Sequence, residues 1–140
     1  MEKNKTDLEQ LEQLVARLAS DSLPASELLR LVDHEAAIMR VNTLLAMSRA
    51  ARSAPGLVDA IVAAALDERN NVRLMGTVTV AHEAIACLFR VGTEEVRRQG
   101  EQLLQQLPAL ERSNLEWYLR SEGLRDESGP GMPKTGGPIR

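Results

Sequence analysis

Residues 57–66 read LVDAIVAAAL, and this stretch decides the fold class of the chain. Apolar residues recur at positions i, i+1, i+4, i+5, i+8 and i+9, which is the spacing of one face of an α-helix. These residues are Leu57, Val58, Ile61, Val62, Ala65 and Leu66. A half-buried β-strand would alternate apolar and polar residues instead. Pro55 and Gly56 precede the stretch, and proline suits the first turn of a helix because it lacks a backbone N–H. We therefore predict an amphipathic helix that buries one face.

The same helical period extends outward in both directions, and no stretch of any length alternates as a strand would. Residues 6–9 (TDLE) form a capping box that predicts the start of the first helix at Thr6. Asp33 is placed to cap a helix over about residues 35–52. Gly92 and Gly123 predict the ends of two later helices. Seven or eight short helices are expected, and the fold class is all-α.

Residues 72–91 allow two interpretations. Gly76 and the β-branched residues that follow it lower the helix propensity of the first half of this segment. The segment is either one long helix or two short helices that are broken near Gly76.

Composition restricts both the core and the partners of the chain. Of its 140 residues, 44% are hydrophobic and only 2% are aromatic, so the core is aliphatic and base-stacking platforms or aromatic cages are excluded. The single cysteine excludes an internal disulfide and fits a reducing compartment. The formal net charge of -3 argues against nucleic acid as a partner. Since the sequence has neither a membrane-spanning apolar run nor a secretory signal, we expect a cytoplasmic protein with no membrane partner.

Three segments make up the predicted domain organisation. Residues 1–22 form an N-terminal capping helix, residues 23–124 form a helical repeat domain, and residues 125–140 form a disordered tail. Seven of the fifteen residues from 126 to 140 are Gly or Pro, so that segment buries too little apolar surface to offset its conformational entropy. The first helix carries an apolar stripe, formed by Leu8, Leu11, Val15 and Leu18. This stripe either covers the end of the helical stack or pairs with a second copy in a homodimer.

A short pattern recurs three times in the predicted repeat domain. Residues 39–43 (MRVNT), 72–76 (VRLMG) and 96–100 (VRRQG) share the order apolar, Arg, any, any, small. An acidic residue precedes each arginine, and these residues are Asp33, Asp67 and Glu94. The pattern resembles the HEAT repeat, a helix pair whose second helix opens with a Val-Arg step after an acidic turn.

The resemblance covers about residues 24–107 and implies stacked antiparallel helix pairs. It also implies a close approach of paired helices at the small residue and a ladder of contacts between the acids and arginines of successive repeats. The three arginines are spaced 33 and then 24 residues apart, and 24 residues are too few for a full repeat. The expected architecture is therefore a HEAT-like solenoid or an irregular helical bundle.

Five residues are candidates for binding a partner. Arg40, Arg73 and Arg97 either line one surface that grips phosphates or carboxylates, or pair within the chain with Asp33, Asp67 and Glu94. Trp117 and Tyr118 form the only aromatic pair. They either provide an exposed anchor for a partner or close the core beneath the last helix.

The residues most often associated with catalysis have structural explanations here. His34 and His82 each begin a His-Glu step, but the second His of a zinc-protease motif is replaced by Ile38 and Ala86. Both histidines are therefore interpreted as surface or capping residues. Cys87 lies among apolar neighbours and is interpreted as a buried small hydrophobe. No catalytic residue, metal ligand or cofactor is predicted.

The function that this pattern favours is a non-catalytic protein–protein interaction module. Its partner would be another protein, and its role that of an adaptor or scaffold, or of a stoichiometric inhibitor such as a bacterial immunity protein. The alternative is binding of a nucleic-acid backbone through Arg40, Arg73 and Arg97. A third class, an enzyme, depends on Cys87 or on the histidine pair.

Overall fold

The computed structural model describes residues 2–74, 76 and 78–125, so residues 126–140 of the predicted tail lie outside them. The side chain of Arg125, the first residue of the predicted tail, is instead only 8% exposed and pairs with Glu101 and Glu116 (both 3.2 Å). The described part of the chain contains seven α-helices and no strand, which confirms the all-α fold class. In chain order, the helices are α1 (Glu2–Ala19), α2 (Ala25–Leu31), α3 (Ala37–Ala50), α4 (Gly56–Leu66), α5 (Val80–Val91), α6 (Glu94–Gln105) and α7 (Ala109–Ser121). A short 3-10 turn, Glu68–Asn70, follows α4.

Local signals predicted several helix ends well. Gly92 ends α5 with a left-handed φ of 84°, and Gly123 has a φ of 72° just after α7. The side chain of Thr93 accepts a hydrogen bond from the backbone N–H of Val96 at the start of α6. These caps depend on residues within one turn of each other, so the sequence contains all the information that they need.

Two predicted starts were wrong. The first helix begins at Glu2, so Thr6 lies inside α1 rather than at its N-terminus. Ala36, not Asp33, is the N-cap of α3, because the Asp33 carboxylate pairs instead with Arg69 after α4.

Residues 72–91 follow neither predicted alternative. The described residues before Val80 (72–74, 76, 78 and 79) form an irregular loop, and a single helix, α5, begins at Val80. The backbone N–H of Val80 donates to the carbonyl of Val72 (2.9 Å), and Arg73 forms an isolated β-bridge with Thr79. Gly76 has a φ of 73°, a conformation that favours glycine. The N–H of Val80 and the carbonyl of Val72 therefore bond to each other across the loop. They are not available for the hydrogen bonds of a helix over the first part of the segment.

The helix α5 is the centre of the molecule, and it contacts α3, α4, α6 and α7. Every residue of α5 is buried except Arg90, which is partly exposed. One side of α5 faces the N-terminal core, which also contains aliphatic residues of α1–α4 such as Leu44, Met47 and Ile61. The other side faces a smaller C-terminal core, whose buried members are Ile85, Ala86, Phe89, Leu104, Leu115 and Leu119.

The helices pack as consecutive neighbours around α5. The helices α3 and α7 both contact α5, and α2 contacts α3 and α4. At Gly100 on α6, an added Cβ would lie 2.8 Å from a ring carbon of Phe89, so only glycine allows this approach of α6 to α5. The repeat pattern predicted such an approach at each of its small residues. It occurs at Gly100, but Gly76 lies in the loop before α5 with open space around it. The helix α1 packs on α3 with Leu18 buried, whereas Leu8 is exposed.

Candidate functional site

An apolar groove lies between α3 and α7, above the start of α5. Its volume is about 230 Å³. The lining residues come from four separate parts of the chain: Ile38 and Val41 on α3, Leu74, Val78 and Thr79 in the loop, Val80 and Glu83 on α5, and Tyr118 on α7. Its walls are mostly aliphatic, as in sites that bind the apolar side chains of a ligand.

Large aliphatic side chains at the rim of the groove remain in contact with water. Ile38 is 49% exposed and Leu74 is 41% exposed. On α7, Trp117 precedes the groove residue Tyr118 and is 60% exposed. Exposed apolar surface around a concavity is typical of an interaction site, because covering it releases water from both partners.

The floor of the groove carries a hydrogen-bonded network that joins α5 to α7. The hydroxyl of Tyr118 donates to Glu83 Oε1 (2.7 Å), and the Arg90 guanidinium pairs with Glu83 Oε2. Arg90 also donates to the Tyr118 oxygen (3.2 Å) and to Glu122 (3.4 Å). The network therefore fixes α7, the wall of the groove, relative to α5.

The network keeps fixed protonation states near neutral pH. Burial, reinforced by the hydrogen bond to Glu83, raises the pKa of Tyr118 to about 12. Burial works against the charge of Arg90, but the neighbouring Glu83 carboxylate keeps the pKa of Arg90 above its ordinary value. A neutral phenol and a paired guanidinium are suited to holding a shape rather than to transferring protons.

The loop wall is held by the capping box of α5. The backbone N–H of His82 donates to Thr79 Oγ1 (3.1 Å), and the N–H of Thr79 donates to His82 Nδ1 (3.4 Å). His82 Nε2 lies 3.2 Å from Glu111 Oε1 on α7. His82 therefore connects the loop, α5 and α7.

At His34, Nδ1 accepts from the Ala36 N–H (2.9 Å), so the prediction that both histidines are surface or capping residues is confirmed.

The three predicted arginines do not occupy equivalent positions. Arg40 and Arg97 are each the fourth residue of a helix, but Arg73 lies in the loop before α5. Arg40 is only 5% exposed. Its guanidinium donates to Asn70 Oδ1 (2.7 Å) and to the carbonyl oxygens of His34 (2.9 Å), Glu35 (3.0 Å) and Arg69 (3.3 Å). Arg40 thus joins the start of α3 to the 3-10 turn.

Of the three predicted pairs of an acid with a pattern arginine, one forms, and it lies within α6 rather than between successive repeats. Arg97 pairs with Glu94 (3.0 Å) as predicted. Asp33 and Asp67 instead pair with Arg69, at 3.1 and 2.9 Å respectively. The hydrogen bonds from Arg69 also hold the pKa of Asp67 below its usual value. Because Arg69 lies outside the repeated pattern, sequence spacing gave no reason to choose it.

The predicted aromatic pair separates into two roles. Tyr118 is half-buried and lines the groove, whereas the indole of Trp117 is exposed and does not close the core.

Sequence reasoning missed the groove residues Ile38 and Leu74. Ile38 carried a signal, since it is a large apolar residue directly before the buried Met39 and therefore on a different face of α3.

Cys87 is fully buried next to Arg90, as predicted for a small hydrophobe. Burial raises the pKa of its thiol to about 12. The reactive thiolate is therefore scarce at neutral pH and is also inaccessible.

A second cavity, the α2/α4 cleft, provides a comparison. It also has a volume of about 230 Å³, and its lining shares no residue with that of the groove. Its lining residues are Leu29, Val32, Asp33, Ala60, Ala63, Ala64, Asp67 and Asn70. It is more polar than the groove, and both of its carboxylates are already paired with Arg69.

Comparisons of the chain with protein-family models, with curated proteins and with solved structures give no significant match. None of the described helices is both long and apolar enough to cross a membrane.

Proposed function

We propose that the chain is a non-catalytic protein-binding module and that its binding surface is the groove between α3 and α7. The observation that carries the proposal is an apolar cavity of about 230 Å³ whose rim exposes Ile38 and Leu74. A partner that inserted an apolar side chain there would gain about 25 cal/mol for each Å² of apolar surface removed from water.

The polar groups of the site support binding rather than chemistry. Glu83, Arg90 and Tyr118 satisfy one another, and Tyr118 stays neutral near physiological pH. The thiol of Cys87 faces the core instead of the groove. An enzyme at this position would need a free nucleophile or a group with a pKa near 7.

Within this class, we place the chain among HEAT-like helical repeat proteins that act as adaptors or as stoichiometric inhibitors. An inhibitor of the bacterial immunity type would use the net charge of -3 to attract a basic target. A cytoplasmic location belongs to the same proposal, since a single cysteine fits a reducing compartment.

Nucleic-acid binding through Arg40, Arg73 and Arg97 is the weaker proposal. The guanidinium of Arg40 is buried and donates to four oxygen atoms, which leaves it little capacity for a phosphate. The salt dependence of binding separates the two proposals. Contacts with phosphates weaken steeply as salt concentration rises, and apolar contacts do not.

Capture of partners with matched variants tests the proposal. The protein and three variants would be incubated with an extract of the cells that make it, cross-linked and analysed by quantitative mass spectrometry. Ile38→Asp and Leu74→Asp place a charge in the groove, and Leu29→Asp places one in the α2/α4 cleft. Leu29 is 45% exposed, close to the 49% of Ile38, so all three variants should fold.

We expect both groove variants to lose the captured partner and the cleft variant to keep it. Insertion of a charge into the apolar centre of an interface weakens binding by on the order of a hundredfold. Equal capture by all the variants, or a loss confined to Leu29→Asp, would show that the groove is not the binding surface.

A further inference from the structure

We propose that the groove accepts the Trp117 side chain of a second copy of this chain, so that two copies form a symmetric dimer. The proposal rests on the proposed function in that it uses the same groove, and it adds the chemical identity of an occupant. It uses a different surface from the α1 stripe, through which the sequence suggested a homodimer.

The chemistry of the groove matches an indole. Its sides are aliphatic, and the Glu83 carboxylate lies at its floor. A carboxylate has about four acceptor positions, of which Tyr118 and Arg90 use two. An indole combines a large apolar ring with one N–H donor and no acceptor. The spare acceptor positions of Glu83 would therefore satisfy the N–H while the ring replaces water against the aliphatic walls.

The volume of the groove also matches that of an indole ring. An engineered apolar cavity of about 150 Å³ binds benzene, which has six ring atoms. Scaling by the nine ring atoms of indole gives roughly 230 Å³, and the groove has a volume of about 230 Å³.

Trp117 is the one tryptophan of the chain, and it lies beside the groove. It is 60% exposed, although tryptophan is on average a well-buried residue. Its neighbour Tyr118 forms part of the groove wall. Because Trp117 and the groove residue Tyr118 are consecutive residues of α7, a twofold axis near α7 would bring each Trp117 to the groove of the other copy. Such an arrangement closes as a dimer rather than extending as a filament.

The exposed apolar area is sufficient for a specific dimer. Four large side chains on α7 and around the groove are exposed, namely Ile38 (49%), Leu74 (41%), Leu110 (74%) and Trp117 (60%). At roughly 200 Å² for each fully exposed side chain, they present on the order of 450 Å² per copy. Two copies thus bring about 900 Å² of apolar surface. If the second copy covered all of this surface, an interface that is roughly 60% apolar would total about 1,500 Å², a standard size for a stable complex.

Two measurements on the unmodified protein test the dimer. Sedimentation equilibrium should give a mass that rises from 15.4 kDa toward twice that value as the concentration increases. Over the same range, the fluorescence maximum of Trp117 should move to shorter wavelength, because the indole leaves water. A protein that stays at 15.4 kDa up to high micromolar concentration, or a maximum that does not move as the dimer forms, would overturn the proposal.

Matched variants identify the contact. Trp117→Ala removes the inserted side chain and Leu74→Asp blocks the groove, and each should weaken self-association by on the order of thirtyfold, as at an interface hot spot. Leu29→Asp, in the α2/α4 cleft, should leave the dimer unchanged. A mixture of Trp117→Ala with Leu74→Asp should form a heterodimer, because one intact groove then meets one intact tryptophan. A dimer that is insensitive to Trp117→Ala would overturn the proposal.

The same variants separate this inference from the proposed function. If Trp117→Ala is monomeric but still captures a partner, and Leu74→Asp does not capture it, both proposals are supported. If the unmodified protein is a monomer that captures a partner through the groove, the dimer is wrong and the protein-binding function stands. If it is a Trp117-dependent dimer that captures nothing else, the dimer stands and the partner is the second copy alone.

Discussion

The two sides of α5 are held together in different ways. On one side, α3 and α4 pack against it through the N-terminal core, an extensive aliphatic cluster. On the other side, α7 contributes Leu115 and Leu119 to the small C-terminal core. The partly buried Tyr118 also packs against this core, and α7 is further attached to α5 by polar contacts through Glu83, Arg90 and Glu111.

The difference explains why the groove exists. Aliphatic packing fills the volume between helices, because dispersion and burial both favour close contact. A hydrogen bond fixes a distance and a direction but does not require the neighbouring volume to be filled. The helix α7 is therefore positioned precisely enough to form a wall, yet the space between it and α3 remains open.

The largest effect should come from the N-terminal core. Leu44→Ala removes a fully buried side chain and should lower the free energy of unfolding by about 2–5 kcal/mol, because a cavity remains. Denaturant unfolding measures the change. Since the core is shared by α1–α5 and also includes Val96 of α6, amide exchange should accelerate in all of these helices together. Acceleration in α3 alone would mean that the N-terminal side is not one cooperative unit.

An intermediate effect should come from the polar attachment of α7. Glu83→Gln leaves the partly buried Arg90 without its nearest carboxylate and should cost about 2 kcal/mol. We expect amide exchange to accelerate in α7 much more than in α3, as measured by mass spectrometry. Equal acceleration in the two helices would contradict the view that these contacts act mainly on α7.

The smallest effect should come from the hydroxyl of Tyr118. Tyr118→Phe removes its hydrogen bond to Glu83 and should cost about 1 kcal/mol near neutral pH.

The pH dependence of this hydrogen bond has a definite sign. The folded protein holds the Tyr118 proton up to a pKa of about 12, whereas an unfolded tyrosine loses it near pH 10. The unfolded state thus binds fewer protons between these values, and stability falls as the pH rises from about 10 to about 12. The chain has one tyrosine, so phenolate absorbance reports this titration directly. A midpoint near 10 in the folded protein would show that the hydroxyl is not held by the network.

The sequence predicted those features that depend on neighbouring residues. The period of residues 57–66 gave α4, and the caps at Gly92, Thr93 and Gly123 lie within one turn of the backbone groups that they satisfy. The loop before α5 was not predicted, because the bond between Val80 and Val72 competes with helix formation across eight residues.

Of the residues in and around the groove, the sequence pointed only to the two aromatic ones. Tyr118 lines the groove and Trp117 lies beside it. The other walls meet by tertiary packing of α3, the loop and α5, which no local pattern encodes. The arginine pattern left two roles open for a related reason. Sequence repetition does not distinguish a buried arginine that joins two backbone segments, such as Arg40, from one on a surface.

Photo-cross-linking from the two cavities tests the central claim most directly. A photoreactive amino acid would replace Val41 inside the groove in one variant and Ala60 inside the α2/α4 cleft in another, two cavities of equal volume. The groove position should form covalent adducts with another polypeptide, either a second copy or a separate partner, and the cleft position should give only background. Equal adducts from both positions, or adducts from Ala60 alone, would contradict the assignment of the groove as the binding surface.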